Sequence, residues 1–248
     1  MDRRHFTLLL IGGALLAAQP LTAQTRMTPT GFLNKTIQIN GREHPYVVYV
    51  PRNYTPDKAW PVVLFLHGAG ERGTDGLAQS QVGIGGAIRM HADRFPGIVV
   101  MPQCLPNEWW DRESMKPVAL GALDQTLKEY RIDRDRQYLT GLSMGGFGSW
   151  ALASQHPERW AAVAPICGRG NPAEMGPKLT KLPIWVFHGD KDEAVPVQHS
   201  REMVEAIKAA GGTRVKYTEY PGVGHNSWDP AYNDPEFATW LFQQKRGR

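Results

Sequence analysis

The stretch that decides the fold is Tyr138–Trp150, "YLTGLSMGGFGSW". The run "RQYLTGLS" (136–143) reads as a short strand, and "MGGFGSWALASQHP" (144–157) as a helix closed before Pro157. Between them Gly141-Leu142-Ser143-Met144-Gly145 fits G-x-S-x-G. The pattern alone is weak. Its position at the end of a β-like run and the start of a helix is that of a sharp turn that exposes a serine hydroxyl. The glycines let the backbone turn without Cβ clashes, and the helix N-terminus favours developing negative charge. Ser143 is therefore the candidate nucleophile.

Outward from this turn, short apolar runs alternate with helical stretches. "KTIQINGREHPYVVYVP" (35–51) is a hairpin signal around Asn40-Gly41. "WPVVLFLHG" (60–68), "GIVVMPQC" (97–104), "WAAVAPICG" (160–168) and "LPIWVFHGD" (182–190) are almost wholly apolar, as strands buried on both faces should be. "VKYTEYPG" (215–222) is an eighth strand. Helices are expected over 117–130, after Ser143, over 196–212 and near 235–244. Such alternation implies an α/β fold, a mostly parallel eight-stranded sheet with helices on both faces after an antiparallel start. Residues 68–86, 105–116 and 169–181 are irregular, and all three follow strands, where ligands bind in open α/β sheets.

The chain has 248 residues, 42% of them hydrophobic and 21% charged, enough for one sizeable core. Its start is set apart. Arg3 and Arg4 precede an apolar run from Phe6 to Ala18, followed by Leu21-Thr22-Ala23. Residues 1–23 read as a secretory signal peptide, similar to the twin-arginine type, cut after Ala23 or Ala18. The remaining 24–248 form one domain in this reading, exported to the periplasm or the medium. The apolar run is too short to span a bilayer and contains Gly12-Gly13. No cysteine follows it in lipoprotein fashion, so no stable membrane association is expected after signal removal.

The formal charge is +4. The signal and the closing "KRGR" (245–248) account for it, which reads as a solvated basic tail and leaves no basic stripe for nucleic acid. Cys104 and Cys167 each follow a strand-like run. They would pair in an oxidising compartment if those strands were neighbours, and otherwise remain partly buried thiols, the reading preferred here. No Cys/His pattern has zinc-ligand spacing, and no metal or organic cofactor is expected.

A serine hydroxyl needs a base, and the base an orienting acid. Of eight histidines, His5 leaves with the signal. His67 and His188 precede glycines at strand ends, positions that tie loops together. His44, His91 and His156 lie in turn or helix contexts, and His199 in the first turn of a helix, where solvation is expected. His225, in "PGVGHNSWD" (221–229), sits just past the last strand in a small-residue loop able to carry an imidazole to Ser143. "HGDKDEAVP" (188–196) offers Asp190, Asp192 and Glu193 as acids, giving the chain order Ser, acid, His.

Together these motifs resemble the α/β-hydrolase superfamily. More narrowly they resemble its secreted esterase group of polyhydroxybutyrate-depolymerase-like, feruloyl and acetylxylan esterases, with relatives labelled predicted peptidases. "LFLHGAGERG", "PQC…WW", "GLSMGG", "HGDKDEAVPV" and "GVGHNSW" occur in the family's order and cover nearly the whole chain after the signal. The resemblance implies a Ser143–His225–Asp192 triad, the acid being the aspartate three residues after the His-Gly pair. Asp190 is then left as a turn-stabilising carboxylate. With the mechanism, it also implies an oxyanion hole from the backbone N–H groups of Met144 and Ala69, with Gly70 close by.

Specificity is less legible. Trp109, Trp110 and Trp228 are candidate substrate contacts, since aromatic faces on a rim suit sugar or aryl rings, although core capping explains a tryptophan equally well. Gly70 and Glu71 are further candidates, and Glu71 with Arg72 reads alternatively as a local ion pair that fixes the loop. No long apolar lid insertion or large lid domain is present, which argues against a triacylglycerol lipase. The expected partner is a small-molecule or polysaccharide ester, carbohydrate-linked, aryl or short-chain. A serine peptidase and a non-catalytic binding protein on the same scaffold are the alternatives. The first has no room for a gating domain, and the second would be expected to lack a triad member.

Overall fold

The structure is a computed structural model that describes residues 28–247. The expected signal, residues 1–23, lies outside the described residues. Eight strands form one sheet: β1 (Gly31–Ile39), β2 (Arg42–Val50), β3 (Trp60–Leu66), β4 (Ile98–Pro102), β5 (Ile132–Leu142), β6 (Ala162–Ile166), β7 (Ile184–Gly189) and β8 (Val215–Tyr220). Their spatial order is β1-β2-β4-β3-β5-β6-β7-β8. The β1–β2 and β2–β4 pairs are antiparallel and every later pair is parallel. The antiparallel start is the hairpin around Asn40-Gly41, both of which hold the positive φ that its tight turn requires.

Among the described residues seven α-helices accompany the sheet: α1 (Ile84–Met90), α2 (Lys116–Glu129), α3 (Met144–Gln155), α4 (Pro172–Met175), α5 (Gln198–Ala209), α6 (Trp228–Asn233) and α7 (Pro235–Gln243). Strand side chains alternate between the two faces. Val62, Leu64 and Leu66 of β3 pack with Val118 of α2, Trp150 of α3 and Val204 of α5. Val63 and Phe65 pack on the other side with Ile88 of α1, Tyr232 of α6 and Phe237 of α7. Every residue of β3, β4, β6 and β7 is buried, as a strand covered on both faces requires.

β3 and β5 are parallel neighbours, with Leu66 opposite Gly141. From β3 the chain moves to β4 on one side, and from β5 to β6 on the other. The loops leaving the carboxyl ends of β3 and β5 therefore part here, and open α/β sheets form their ligand crevice at such a switch.

Several expectations need correction. β1 and β5 begin four residues earlier than their apolar runs suggested; α1 begins within 68–86 and α4 lies within 169–181, both read as irregular, and α6 follows the His225 loop where no helix was expected. The basic tail is not simply solvated. Arg246 donates to the Asp135 carboxylate at 2.7 Å, and Lys245 lies 3.9 Å from Asp133. Cys104 and Cys167 remain free thiols as expected, since β4 and β6 are separated by β3 and β5, but both are wholly rather than partly buried.

Candidate active site

Ser143 joins β5 to α3 with φ 53° and ψ −116°. A side chain at positive φ costs on the order of 1–3 kcal/mol and persists only where the surroundings fix it. Two contacts do so. The Ser143 N–H donates to Ile166 O at 2.9 Å, and Phe147 N–H donates to Ser143 O at 3.1 Å. The flanking glycines are demanded by crowding: a Cβ on Gly145 would lie 1.9 Å from Leu66 O, and one on Gly141 2.4 Å from Gly145 O. The turn thus packs against β3 and aims the hydroxyl at the crevice.

His225 Nε2 lies 2.9 Å from Ser143 Oγ, and its Nδ1 lies 2.7 Å from Asp192 Oδ2. A carboxylate only accepts, so Nδ1–H donates to Asp192 and Nε2 is left to accept the Ser143 hydroxyl proton. The other oxygen, Asp192 Oδ1, accepts from the backbone N–H groups of Ala194 at 2.9 Å and Val195 at 2.8 Å. Asp190 serves elsewhere, accepting from Gly222 N–H at 2.7 Å in the turn after β8.

His188 completes the shell of Asp192. Its Nε2 faces two acceptors, Asp192 Oδ2 at 3.1 Å and Val195 O at 2.8 Å, so that nitrogen carries the proton. Its Nδ1 then accepts from Ser200 Oγ, 2.7 Å away. Burial lowers the His188 pKa and keeps the ring neutral despite the neighbouring carboxylate. Cys167 Sγ lies within 4.8 Å of ligand atoms of Asp192 and His225. The hydrogen bonds above already occupy those groups, so the cluster fits a hydrogen-bonded network better than a metal site.

The loop after β3 is anchored by His67, wholly buried. Its Nδ1–H donates to Gly68 O at 2.6 Å, and its Nε2 accepts Cys104 N–H at 2.9 Å. Burial pushes its pKa down to about 4. Trp110, named above as a substrate contact, is instead fully buried beneath this loop. Its indole N–H donates to His67 O at 3.1 Å and its ring meets the imidazole edge-on, so it is a structural support. Glu71 is partly buried, 3.9 Å from His67 Nδ1, and burial raises its pKa. It makes no ion pair with Arg72, which stacks 4.5 Å over Trp109 and donates to Glu108 O at 2.7 Å.

A pocket of about 450 Å³ opens over Ser143 and His225. Ala69 and Trp109 line it, whereas Gly70, Glu71 and Trp228 do not. Trp228 meets the His225 ring edge-on at 5.3 Å and packs against the core. The remaining wall comes from Phe147, Arg169, Val195, Pro196 and His199, with Ala194. None of these was singled out from sequence as a contact. The available signals were Phe147 one helical turn after Ser143, and Arg169 at the head of a post-strand loop.

The sequence profile described as Phospholipase/Carboxylesterase matches residues 53–234. The chain belongs to that family. It is 32% identical over 196 residues to a bifunctional acetylxylan esterase/xylanase of Neocallimastix patriciarum, covering 74% of this chain and 28% of the relative. A probable feruloyl esterase C of Aspergillus terreus is 23% identical over 222 residues, covering 89% of this chain and 80% of the relative. The crystal structure of a thermostable esterase superposes with TM-score 0.79 at 39% identity, covering 87% of this chain and 63% of that one. The chain therefore spans less than two thirds of the length of the first and last of these proteins. The α/β-hydrolase fold and the esterase group expected from the motifs agree with this membership, and the family match contains Ser143, Asp192 and His225.

Proposed function

We propose that this protein is a serine carboxylic-ester hydrolase that works through an acyl-enzyme on carbohydrate-linked, aryl or short-chain esters. The observation that carries the proposal is the hydrogen-bonded chain Ser143–His225–Asp192 beneath an open pocket. His225 Nε2 takes the Ser143 proton as Oγ attacks the ester carbonyl, and then delivers it to the departing alcohol. Water repeats the sequence on the acyl-enzyme and frees the acid. Asp192 fixes the tautomer and stabilises the imidazolium, and its own position is fixed by His188 and two backbone amides.

The oxyanion falls to the N–H groups of Met144 and Ala69. Met144 is the first residue of α3, and the first N–H groups of a helix have no partner within it. Ala69 lines the same pocket. Each such donor contributes about 3–4 kcal/mol of transition-state stabilisation. No step calls for a metal or organic cofactor.

The Trp109 and Phe147 rings lie parallel with centroids 6.0 Å apart, an aromatic wall suited to an aryl or sugar ring. The names of the feruloyl and acetylxylan esterase relatives support carbohydrate-linked esters as substrates. The signal-like residues 1–23 support export to the periplasm or the medium. Among the described residues no helix is long and apolar enough to cross a membrane.

Ser143→Ala is expected to lower kcat for p-nitrophenyl acetate by about 10⁴-fold or more. Hydrolysis within tenfold of the parent would overturn the assignment.

A further inference from the structure

We propose that Arg169 makes this pocket selective for esters that carry a free carboxylate, a reading that rests on the esterase function above. The first support is how the residue is held. Arg169 lies between Gly168 and Gly170, and both flanks are closely packed. A Cβ on Gly168 would lie 2.8 Å from the backbone of Gly146, and one on Gly170 2.9 Å from Met203 Sδ. The backbone thus packs closely on α3 at Gly168 and against the methionine side chains of α4 and α5 at Gly170, while the arginine itself is exposed.

The second support is the orientation of the side chain. The guanidinium carbon sits 4.4 Å over the Phe147 ring, in the wall of the pocket that holds Ser143 and His225. Stacking uses the flat face of the guanidinium and leaves its edge N–H donors available, the geometry that receives a carboxylate in bidentate fashion.

The third support is charge. Among the described residues no carboxylate lies within ion-pair distance of Arg169, and neither Asp nor Glu lines the pocket. Asp192, behind His225, is already engaged by His188, His225 and two amides. The other guanidinium of the aromatic wall, Arg72 over Trp109, donates from Nε to Glu108 O and does not line the pocket. An uncompensated cation beside an uncharged aromatic wall matches an anionic group on the substrate, on either its acyl or its alcohol part.

Two ester pairs distinguish these positions. p-Nitrophenyl hemisuccinate against p-nitrophenyl butyrate places the carboxylate on the acyl part; 4-acetoxybenzoate against 4-acetoxybenzamide places it on the alcohol part. In at least one pair the ratio of kcat/KM, anionic over neutral, is expected to fall about tenfold or more in Arg169→Met and Arg169→Gln, mainly through KM. Ratios unchanged in both pairs would overturn the proposal. Calorimetry on Ser143→Ala protein with benzoate and benzamide adds a readout that needs no turnover. Tighter binding of benzoate, lost in Arg169→Met, supports the site, and equal binding of the two contradicts it. An Arg169-dependent benzoate preference in a protein that cleaves no ester would keep the anion site and sink the esterase reading alone.

Discussion

Three histidines show how far partners decide a residue's task. His67 and His188 are wholly buried, neutral and fixed by hydrogen bonds, whereas His225 remains partly open to the pocket with one nitrogen turned to Ser143. Burial holds His67 near 4 in the folded protein against 6.5 when unfolded, so between those values the unfolded chain binds the extra proton. Stability is complete above the unfolded value and is lost as pH falls towards the folded one, by up to about 3 kcal/mol. His188 acts in the same direction, and Glu71, whose carboxyl is raised by burial, opposes it at the acid end. Urea midpoints followed from neutral to acid pH are expected to fall, and less steeply in His67→Gln; identical slopes would contradict this assignment. At this scale Ser143 was legible because it sits where a strand hands over to a helix, and His225 because it sits in a small-residue loop past the last strand. The choice of Asp192 over Asp190 needed the resemblance, since the residues are two apart and only the direction of the loop separates them. Trp109 and Trp110 were illegible for the same reason: adjacent residues face opposite ways, one into the pocket and one under the His67 loop.

The element that carries the site is the β5–α3 turn, and its requirement for glycine is steric. Gly145→Ala brings a Cβ to 1.9 Å from a backbone oxygen of β3, which cannot yield without moving the sheet. That substitution is expected to destabilise the fold by about 3 kcal/mol or more in urea denaturation, while Gly70→Ala, which meets nothing within 4 Å, stays within about 0.5 kcal/mol. Equal effects of the two would contradict the packing described for the turn. The buried strands were readable as continuous apolar runs, but the start of β5, "IDRD", is charged and partly exposed, so its pairing cannot be inferred from burial. Two further elements escaped. α1 carries two glycines in seven residues, and α6 is six residues long with a proline in its first turn. Glycine content in the first and shortness in the second argue against a helix, and packing on one face of the sheet overrides both.

For the molecule as a whole, the sheet's switch between β3 and β5 gathers the His67–Gly70 loop and the serine turn from adjacent strand ends, while the loops after β7 and β8 bring in Asp192 and His225. Continuous apolar runs alternating with helical stretches were enough to reveal the two covered faces. The pinned C-terminus was not foreseeable, because Asp133 and Asp135 lie over a hundred residues before Arg246. The same two-sided burial raises both thiols, Cys104 and Cys167, to about 12 and shields them. Ellman's reagent is expected to leave the native protein unreacted over minutes and to titrate both thiols after denaturation without reductant. Rapid native reaction, or fewer thiols after denaturation, would contradict the burial or the free state.

The central claim is that Ser143 is a nucleophile driven by His225, and a fluorophosphonate probe with peptide mapping by mass spectrometry tests it most directly. One adduct per chain on Ser143, slowed by about a hundredfold or more in His225→Ala, is the outcome this account predicts. No adduct on folded protein, or an adduct on another residue, would contradict it.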